Sequence, residues 1–346
     1  MRTDRPAPYC KYSKSSAFYK STKRGFFTGN DDLLNGAREK NAVYLAQPKR
    51  THCMLCRSEL PSRIDLRQHD VEYVFCDECR HLNGTHQDTA AFGAAMYTSD
   101  DGAKYASIYR DENYQRRVED IYSPKVDFLI SSLGGIPRIL DVGCGSGHFV
   151  SAAIAKGAIA SGIDIGKDAV DYGNYQIEQL ASVRPLQTCS EEGYISAIDN
   201  SDAEVVSAIG VIEHLREPHK FFDAFKSSNV QFIYYSVPMF SMSVLIENVF
   251  SQIFPRHLSA DHNHLFTESS IARMHAILGV ASVAEWRFGT DVMDLYRSIG
   301  VSLRAEGASN VTLELFEDGF GRSIDEIQGI FDRGHFCSEI HVLARK

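Results

Sequence analysis

Residues 138–148 read Arg-Ile-Leu-Asp-Val-Gly-Cys-Gly-Ser-Gly-His, and the order of chemistry within them decides the fold. Ile139 to Val142 is an apolar run of strand length. Gly143, Gly145 and Gly147 follow at alternate positions, and Phe149-Val-Ser-Ala-Ala-Ile-Ala155 then carries a helical pattern. A strand, a glycine turn and a helix start together present backbone N–H groups and a positive helix end to a bound molecule. Asp141 stands two residues before the first glycine, where its carboxylate can receive a cationic amine.

The glycines alone would support no more than a tight βα turn. A dinucleotide-binding turn reads G-x-G-x-x-G and needs glycine at 148, which is histidine here. Such a turn also has no use for an acid at Asp141. Outward from the turn, Ile159-Ala-Ser-Gly-Ile163 reads as the next strand and Asp164 ends it, 21 residues after Gly143. An acid at that spacing can accept hydrogen bonds from both hydroxyls of a ribose. Further strands are expected at Val183 to Gln187, Glu204 to Ile209, Gln231 to Val237 and Glu339 to Ala344. Strands alternating with helical segments predict a mostly parallel α/β sheet covered on both faces.

The turn resembles motif I of the class I S-adenosylmethionine (SAM) methyltransferases, D-x-G-x-G-x-G. Gly210-Val-Ile-Glu213-His214-Leu215 is similar to the same family's fourth motif, an apolar strand followed by a segment ending E-H-L. The resemblance covers roughly residues 115 to 346. It implies a Rossmann-like seven-stranded sheet, SAM as cofactor, and methyl transfer as the reaction. Asp141, Gly143, Gly145, Gly147 and Asp164 would hold the cofactor, with Ile165 and Gly210 beside it. Ser190 and Glu191, in the loop after the third strand, would contact the adenine.

The chain has 346 residues, enough for two domains or for one with a substantial appendage. Its 44% hydrophobic and 23% charged residues are ordinary for a soluble globular protein. The longest uncharged run, Ser227 to Ile246, is broken by Asn229, Gln231, Pro238 and several serines, so no membrane span is expected. The N-terminus lacks the apolar core of a signal peptide, and a cytoplasmic protein is expected. Residues 1–50 hold eleven Lys or Arg against four Asp or Glu, a charge of +7, which leaves −16 on the rest of a chain totalling −9. Residues 1–45 are therefore read as a basic arm, either a solvated leader or a contact for phosphates.

Cys53-x-x-Cys56 and Cys76-x-x-Cys79 are separated by 19 residues, the spacing of a tetrahedral zinc site. Disulfides are the alternative, and another thiophilic metal such as iron is a second. Four thiolates leave no open coordination position, so the metal is expected to be structural, within a module spanning 46–95. The methyltransferase domain is then expected over 96–346. A zinc module joined to such a core is similar to two groups: zinc-containing methyltransferases of nucleotide-linked sugars in bacterial glycan and antibiotic pathways, and zinc-bearing methyltransferases of ribosomal RNA. The acidic balance of residues 51–346 disfavours a nucleic-acid partner and favours a small polar substrate. A non-catalytic SAM-fold binding protein is a further alternative, and a homo-oligomer is compatible with the sequence.

A hydroxyl or carbon acceptor benefits from a general base near neutral pKa, usually histidine. Glu213-His214 lies at the carboxyl edge of the sheet. Asp261-His262-Asn263-His264 is similar to the Tyr-His-Glu-His segment of sugar C-methyltransferases, with Asp261 and Asn263 departing from it. His264 and then His214 are the candidate bases, with His262 and Glu213 beside them. O-, N- and C-methylation all remain open. Thr267-Glu-Ser-Ser270 also reads as a capped helix start. The apolar stretch from Met239 to Pro255, within a segment 239–266, is read either as a lid over the acceptor or as a packed amphipathic helix. Tyr105, Tyr109, Tyr114 and Arg117 precede the first strand on a helical segment, read either as closing over the methionine end of the cofactor or as ordinary aromatic packing.

Overall fold

The structure, a computed structural model, describes residues 7–17, 29–97, 114–260 and 262–346. Its strands are β1 (Tyr9–Tyr12), β2 (Leu66–Gln68), β3 (Val71–Phe75), β4 (Leu82–Gly84), β5 (Arg138–Val142), β6 (Ile159–Asp164), β7 (Leu186–Thr188), β8 (Val205–Ile209), β9 (Phe232–Pro238), β10 (His264–Leu265), β11 (Ala281–Phe288) and β12 (Glu339–Arg345). The main sheet has the order β1-β11-β12-β9-β8-β5-β6-β7, with β12 antiparallel to both of its neighbours and every other pairing parallel. The fold is a Rossmann-like α/β sheet with helices on both faces. Apolar runs such as Val205-Val-Ser-Ala-Ile209 suit strands covered on both sides.

The six strands located in the sequence are β5 to β9 and β12; β11, which the sequence reading did not locate, makes the expected seven, and β1 is an eighth. That eighth strand pairs with β11 along Tyr9↔Ala284 to Tyr12↔Arg287, inside the stretch read as a basic arm. The same stretch contains a 16-residue helix, Asn30–Leu45, whose Tyr44 is fully buried against Phe92. Four-residue pairing at a sheet edge leaves no periodicity for a sequence reading to detect.

A second, antiparallel sheet has the order β10-β4-β3-β2. Its edge strand β10 comes from the far side of the methyltransferase-like motifs, so residues 264–265 complete the sheet that carries the cysteines. The cysteines also share a core with the main sheet. Cys53, Leu55, Cys76 and Cys79 are buried in the same cluster as Phe221, Phe222 and Phe266. The helix Glu268–Leu278 starts at Thr267 with a capping box to Ser270, as the sequence reads.

The segment 239–266 is tied down by buried polar contacts. Ser241 Oγ donates to Asp291 (2.6 Å), Arg256 Nε pairs with Asp294 (2.9 Å), and the Glu247 carboxylate accepts from the backbone N–H groups of Arg256, His257 and Leu258. A hinged lid would have to break all of these. Three helices, Asp291–Ala305, Asn310–Gly321 and Ile324–Arg333, fill the connection between β11 and β12. No described helix is long and apolar enough to cross a membrane.

Candidate cofactor cleft and four-cysteine site

The glycine turn leaves the carboxyl end of β5 with all three glycines in the left-handed region, at φ +69° for Gly143, +52° for Gly145 and +67° for Gly147. A Cβ on Gly143 would stand 2.5 Å from Val211, and one on Gly147 2.6 Å from Leu186. Those two glycines are required by packing. At Gly145 a Cβ would meet nothing within 4 Å, so this backbone faces open space that a ligand can approach. Asp164 fixes the turn from the next strand: it accepts the Gly145 N–H at 2.8 Å and the Gly166 N–H at 2.7 Å. Its carboxylate is half-buried and keeps lone pairs for hydroxyl donors.

Asp141 is buried and accepts a 2.6 Å hydrogen bond from Ser207. Burial pushes its carboxyl up to about 7; the Ser207 bond and Lys125 oppose this, and Asp164 adds to it. A bound cation would offset that cost. Ile165 is exposed beside Asp164, and Ser190 caps the helix that Glu191 opens by accepting the Gly193 N–H at 3.2 Å. Gly210 has φ +66°, and its N–H donates to Ser236 Oγ at 3.1 Å. The glycine turn, Asp141, Asp164 and Gly210 thus lie at one sheet edge, with two carboxylate acceptors beside an open stretch of backbone.

His148, at the start of the helix after the turn, escaped the sequence reading because a histidine there has no motif meaning. It is stacked between Tyr114 (4.4 Å) and Tyr122 (5.2 Å). Burial and the Arg117 charge push its imidazole down to about 3, so it is neutral at working pH. Tyr114 itself donates to the Ser146 carbonyl at 3.1 Å, which ties this helical segment to the glycine turn. Tyr105 and Tyr109 lie outside the described residues.

The four cysteines bring their sulfurs within 4.8 Å of one another, with Cys53–Cys79 at 3.7 Å and Cys56–Cys76 at 3.5 Å. Tetrahedral coordination at metal–sulfur distances of about 2.3 Å needs sulfurs about 3.8 Å apart. The four thiols fit a metal ion. Each knuckle is built the same way: Arg57 N–H returns to Cys53 O (3.0 Å), Arg80 N–H returns to Cys76 O (2.9 Å), and both arginines have positive φ.

The predicted bases separate into two environments. His264 is buried, and its Nδ1 lies 2.9 Å from Nε2 of His81, a residue of the cysteine module. Burial, then His81, Arg50 and His214, hold its imidazole well below the usual range. His264 is therefore neutral and a weak base. His214 is exposed and His262 half-buried, with ring centroids 4.9 Å apart. Asp261 lies outside the described residues. Glu213 is buried and pushed up to about 8 by burial, so it is protonated at neutral pH and has one oxygen, Oε2, without a hydrogen-bond partner. Asn263 donates to Asp88, which pairs with Arg50 at 3.4 Å.

A set of charged groups missed by the sequence reading stands further along the same edge. Glu339 opens β12 and accepts from His341 at 2.7 Å; His341 Nδ1 in turn meets the Tyr234 hydroxyl at 2.9 Å. Lys125, 7% exposed at the start of the helix Ser123–Leu133, lies 4.0 Å from Glu339. Lys14, just beyond β1, lies 5.2 Å over the Phe288 ring. These residues come from four distant parts of the sequence and form no motif.

The family model described as a methyltransferase domain matches residues 114–283. Together with the strand order and the glycine turn, this decides the family of that part of the chain. Residues 114–283 form a class I SAM-dependent methyltransferase domain. The methyltransferase domain is similar to several ubiquinone biosynthesis O-methyltransferases. That of Vibrio vulnificus (strain YJ016) is 29% identical over 103 residues, covering 27% of this chain and 40% of the relative. That of Alkalilimnicola ehrlichii is 31% identical over 104 residues, covering 29% and 41%. The chain thus spans about two fifths of the length of these curated relatives. Among solved structures, the magnesium protoporphyrin IX methyltransferase of Synechocystis PCC 6803 with bound SAH is 13% identical, with a TM-score of 0.48 over 75% of this chain and all of that one.

Proposed function

We propose that the protein transfers a methyl group from SAM to a small polar acceptor, a nucleotide-linked sugar or glycan precursor. The observation that carries the methyltransferase reading is the Asp164–Gly145 hydrogen bond beside an unobstructed Gly145 Cα. It supports a reading in which Asp164 accepts from a ribose beside a bare stretch of backbone. Asp141 would receive the ammonium group of SAM, Asp164 the ribose hydroxyls, and Ile165, Ser190 and Glu191 the adenine. When bound, SAM supplies an activated methyl group for in-line displacement; the protein aligns the acceptor atom and disposes of its proton. His214, exposed at the carboxyl edge next to His262, is better suited to take that proton than the buried, neutral His264.

The four cysteines would hold a structural zinc ion, with no coordination position left for substrate. The sugar acceptor is supported by the joining of such a module to a methyltransferase domain in an acidic chain, and an RNA acceptor is disfavoured by the same charge. The relatives' ubiquinone O-methylation favours an oxygen acceptor. The test of the reading is cofactor binding by calorimetry: SAH should bind the wild type, and Asp164→Ala should lose about tenfold or more in affinity. Equal affinity in the two proteins would overturn the cofactor assignment.

A further inference from the structure

The acceptor in this reading still lacks a seat, and the charged groups at the β12 end of the cleft supply one. Glu339 lies three strands beyond β5 in the sheet, about 14 Å at the usual spacing of neighbouring strands. The group is therefore displaced from the glycine turn and from Asp164, which lies on the opposite side of β5. The Lys125 amine approaches Glu339 from the helix that packs before β5, at 4.0 Å, and the residue is almost fully buried. Lys14 approaches from the sheet edge. Its strand runs parallel to β11, Ser13 N–H donates to Arg287 O at 2.9 Å, and the amine comes to rest over Phe288, which itself pairs with Glu339 across the sheet.

The charges do not balance. Glu339 is one carboxylate, already engaged by His341, and faces two ammonium groups, with Arg117 adding a third positive charge nearby. Among the described residues no carboxylate lies within 4.0 Å of the Lys14 amine. Burial raises the Asp141 and Glu213 carboxyls to about 7 and about 8, so at neutral pH the two together give Lys125 less than one full counter-charge. Cations drawn out of water without a full counter-charge are costly. A site that keeps two of them beside a cofactor cleft is complete only with an added anion.

We infer that Lys14 and Lys125, on either side of Glu339 at the ligand edge of the sheet, form an anion subsite for a phosphate- or carboxylate-bearing acceptor. This rests on the methyltransferase reading and adds to it the charge of the substrate; the diphosphate of a nucleotide-linked sugar has that chemistry. The anion would be fixed by the N-terminal strand, outside the matched domain, which gives the β1 segment a part in acceptor choice. The competing source of an anion is the carboxylate of the cofactor's own amino-acid end.

The test titrates the full chain with inorganic pyrophosphate by calorimetry, alone, with saturating SAH, and with saturating 5′-methylthioadenosine, which lacks the amino-acid end. Pyrophosphate should bind in all three, and Lys14→Gln and Lys125→Gln should each weaken it about tenfold while SAH affinity stays within about twofold. Lys14→Arg should retain binding. Competition by SAH but not by methylthioadenosine would overturn the proposal, because the seat would then belong to the cofactor. Unchanged pyrophosphate affinity in Lys14→Gln would overturn it as well, and since Lys14 is only half-buried this variant decides the matter even where Lys125→Gln fails to fold. SAH binding in the same preparations reports separately on the methyltransferase reading.

Discussion

Asp164 accepts the backbone N–H of Gly145 at 2.8 Å, joining the end of β6 to the middle of the glycine turn after β5. One carboxylate thereby shapes the turn and, in the proposed complex, binds the ribose. Loss of Asp164 should therefore act on both affinity and local order. Asp164→Ala is expected to lower the melting temperature by a few degrees, in line with about 1–2 kcal/mol for the hydrogen bonds removed. Asp164→Asn should recover part of the stability but little of the SAH affinity. Thermal melts with and without SAH separate the two effects.

Gly145 offers the complementary test. Its φ of +52° makes an alanine strained by about 1–2 kcal/mol, while nothing in the protein obstructs the new methyl. Gly145→Ala should fold and lose SAH affinity by about tenfold or more. Gly143→Ala should instead lose stability first, because its Cβ would stand 2.5 Å from Val211. Similar melting temperatures for the two variants would contradict this division.

The Asp141 carboxyl, raised from 3.8 to about 7 by burial, predicts a pH dependence whose sign can be worked out. A carboxyl that titrates higher folded than unfolded binds its proton more tightly in the fold. Stability from this group is thus greatest at low pH and is lost as pH rises through the window from about 4 to about 7. SAH binding should run the other way, strengthening as Asp141 ionises and weakening again at alkaline pH once the ligand's α-amino group loses its proton. A bell-shaped affinity profile is expected, and Asp141→Asn should remove its acidic limb. A profile in Asp141→Asn that matches wild type would assign that limb to another group.

The cysteine sulfurs are buried in a core shared with Phe221 and Phe222, so loss of the metal should be felt beyond the module. One zinc per chain is expected by elemental analysis. Cys76→Ser should abolish it and cost more than about 3 kcal/mol, since binding free energy of this kind is folding free energy. Wild-type stability in Cys76→Ser would remove the structural role.

The glycine turn and its flanking acids were legible in the sequence because their signals are local. Asp141, the three glycines and Asp164 lie within 24 consecutive residues, and each is demanded by backbone geometry or by a single hydrogen bond. The parallel strands could be read from their apolar runs for the same reason. What escaped depends on residues far apart in the chain. Strand β1 is four mixed residues whose identity as a strand comes only from β11, and His81 meets His264 across 183 positions. Lys14, Lys125 and Glu339 assemble only when the two ends of the chain reach the same sheet edge. His264 matched a motif, yet its burial against His81 makes it a poor base, and no local pattern could have shown that.

The most direct test supplies the full-length protein with methyl-labelled SAM, a pool of nucleotide-linked sugars, and total RNA in a parallel reaction. The account predicts label in the sugar pool, none in RNA, and loss of the transfer in Asp164→Ala. Label in RNA alone, or no transfer to the sugar pool from a protein that binds SAM, would contradict it.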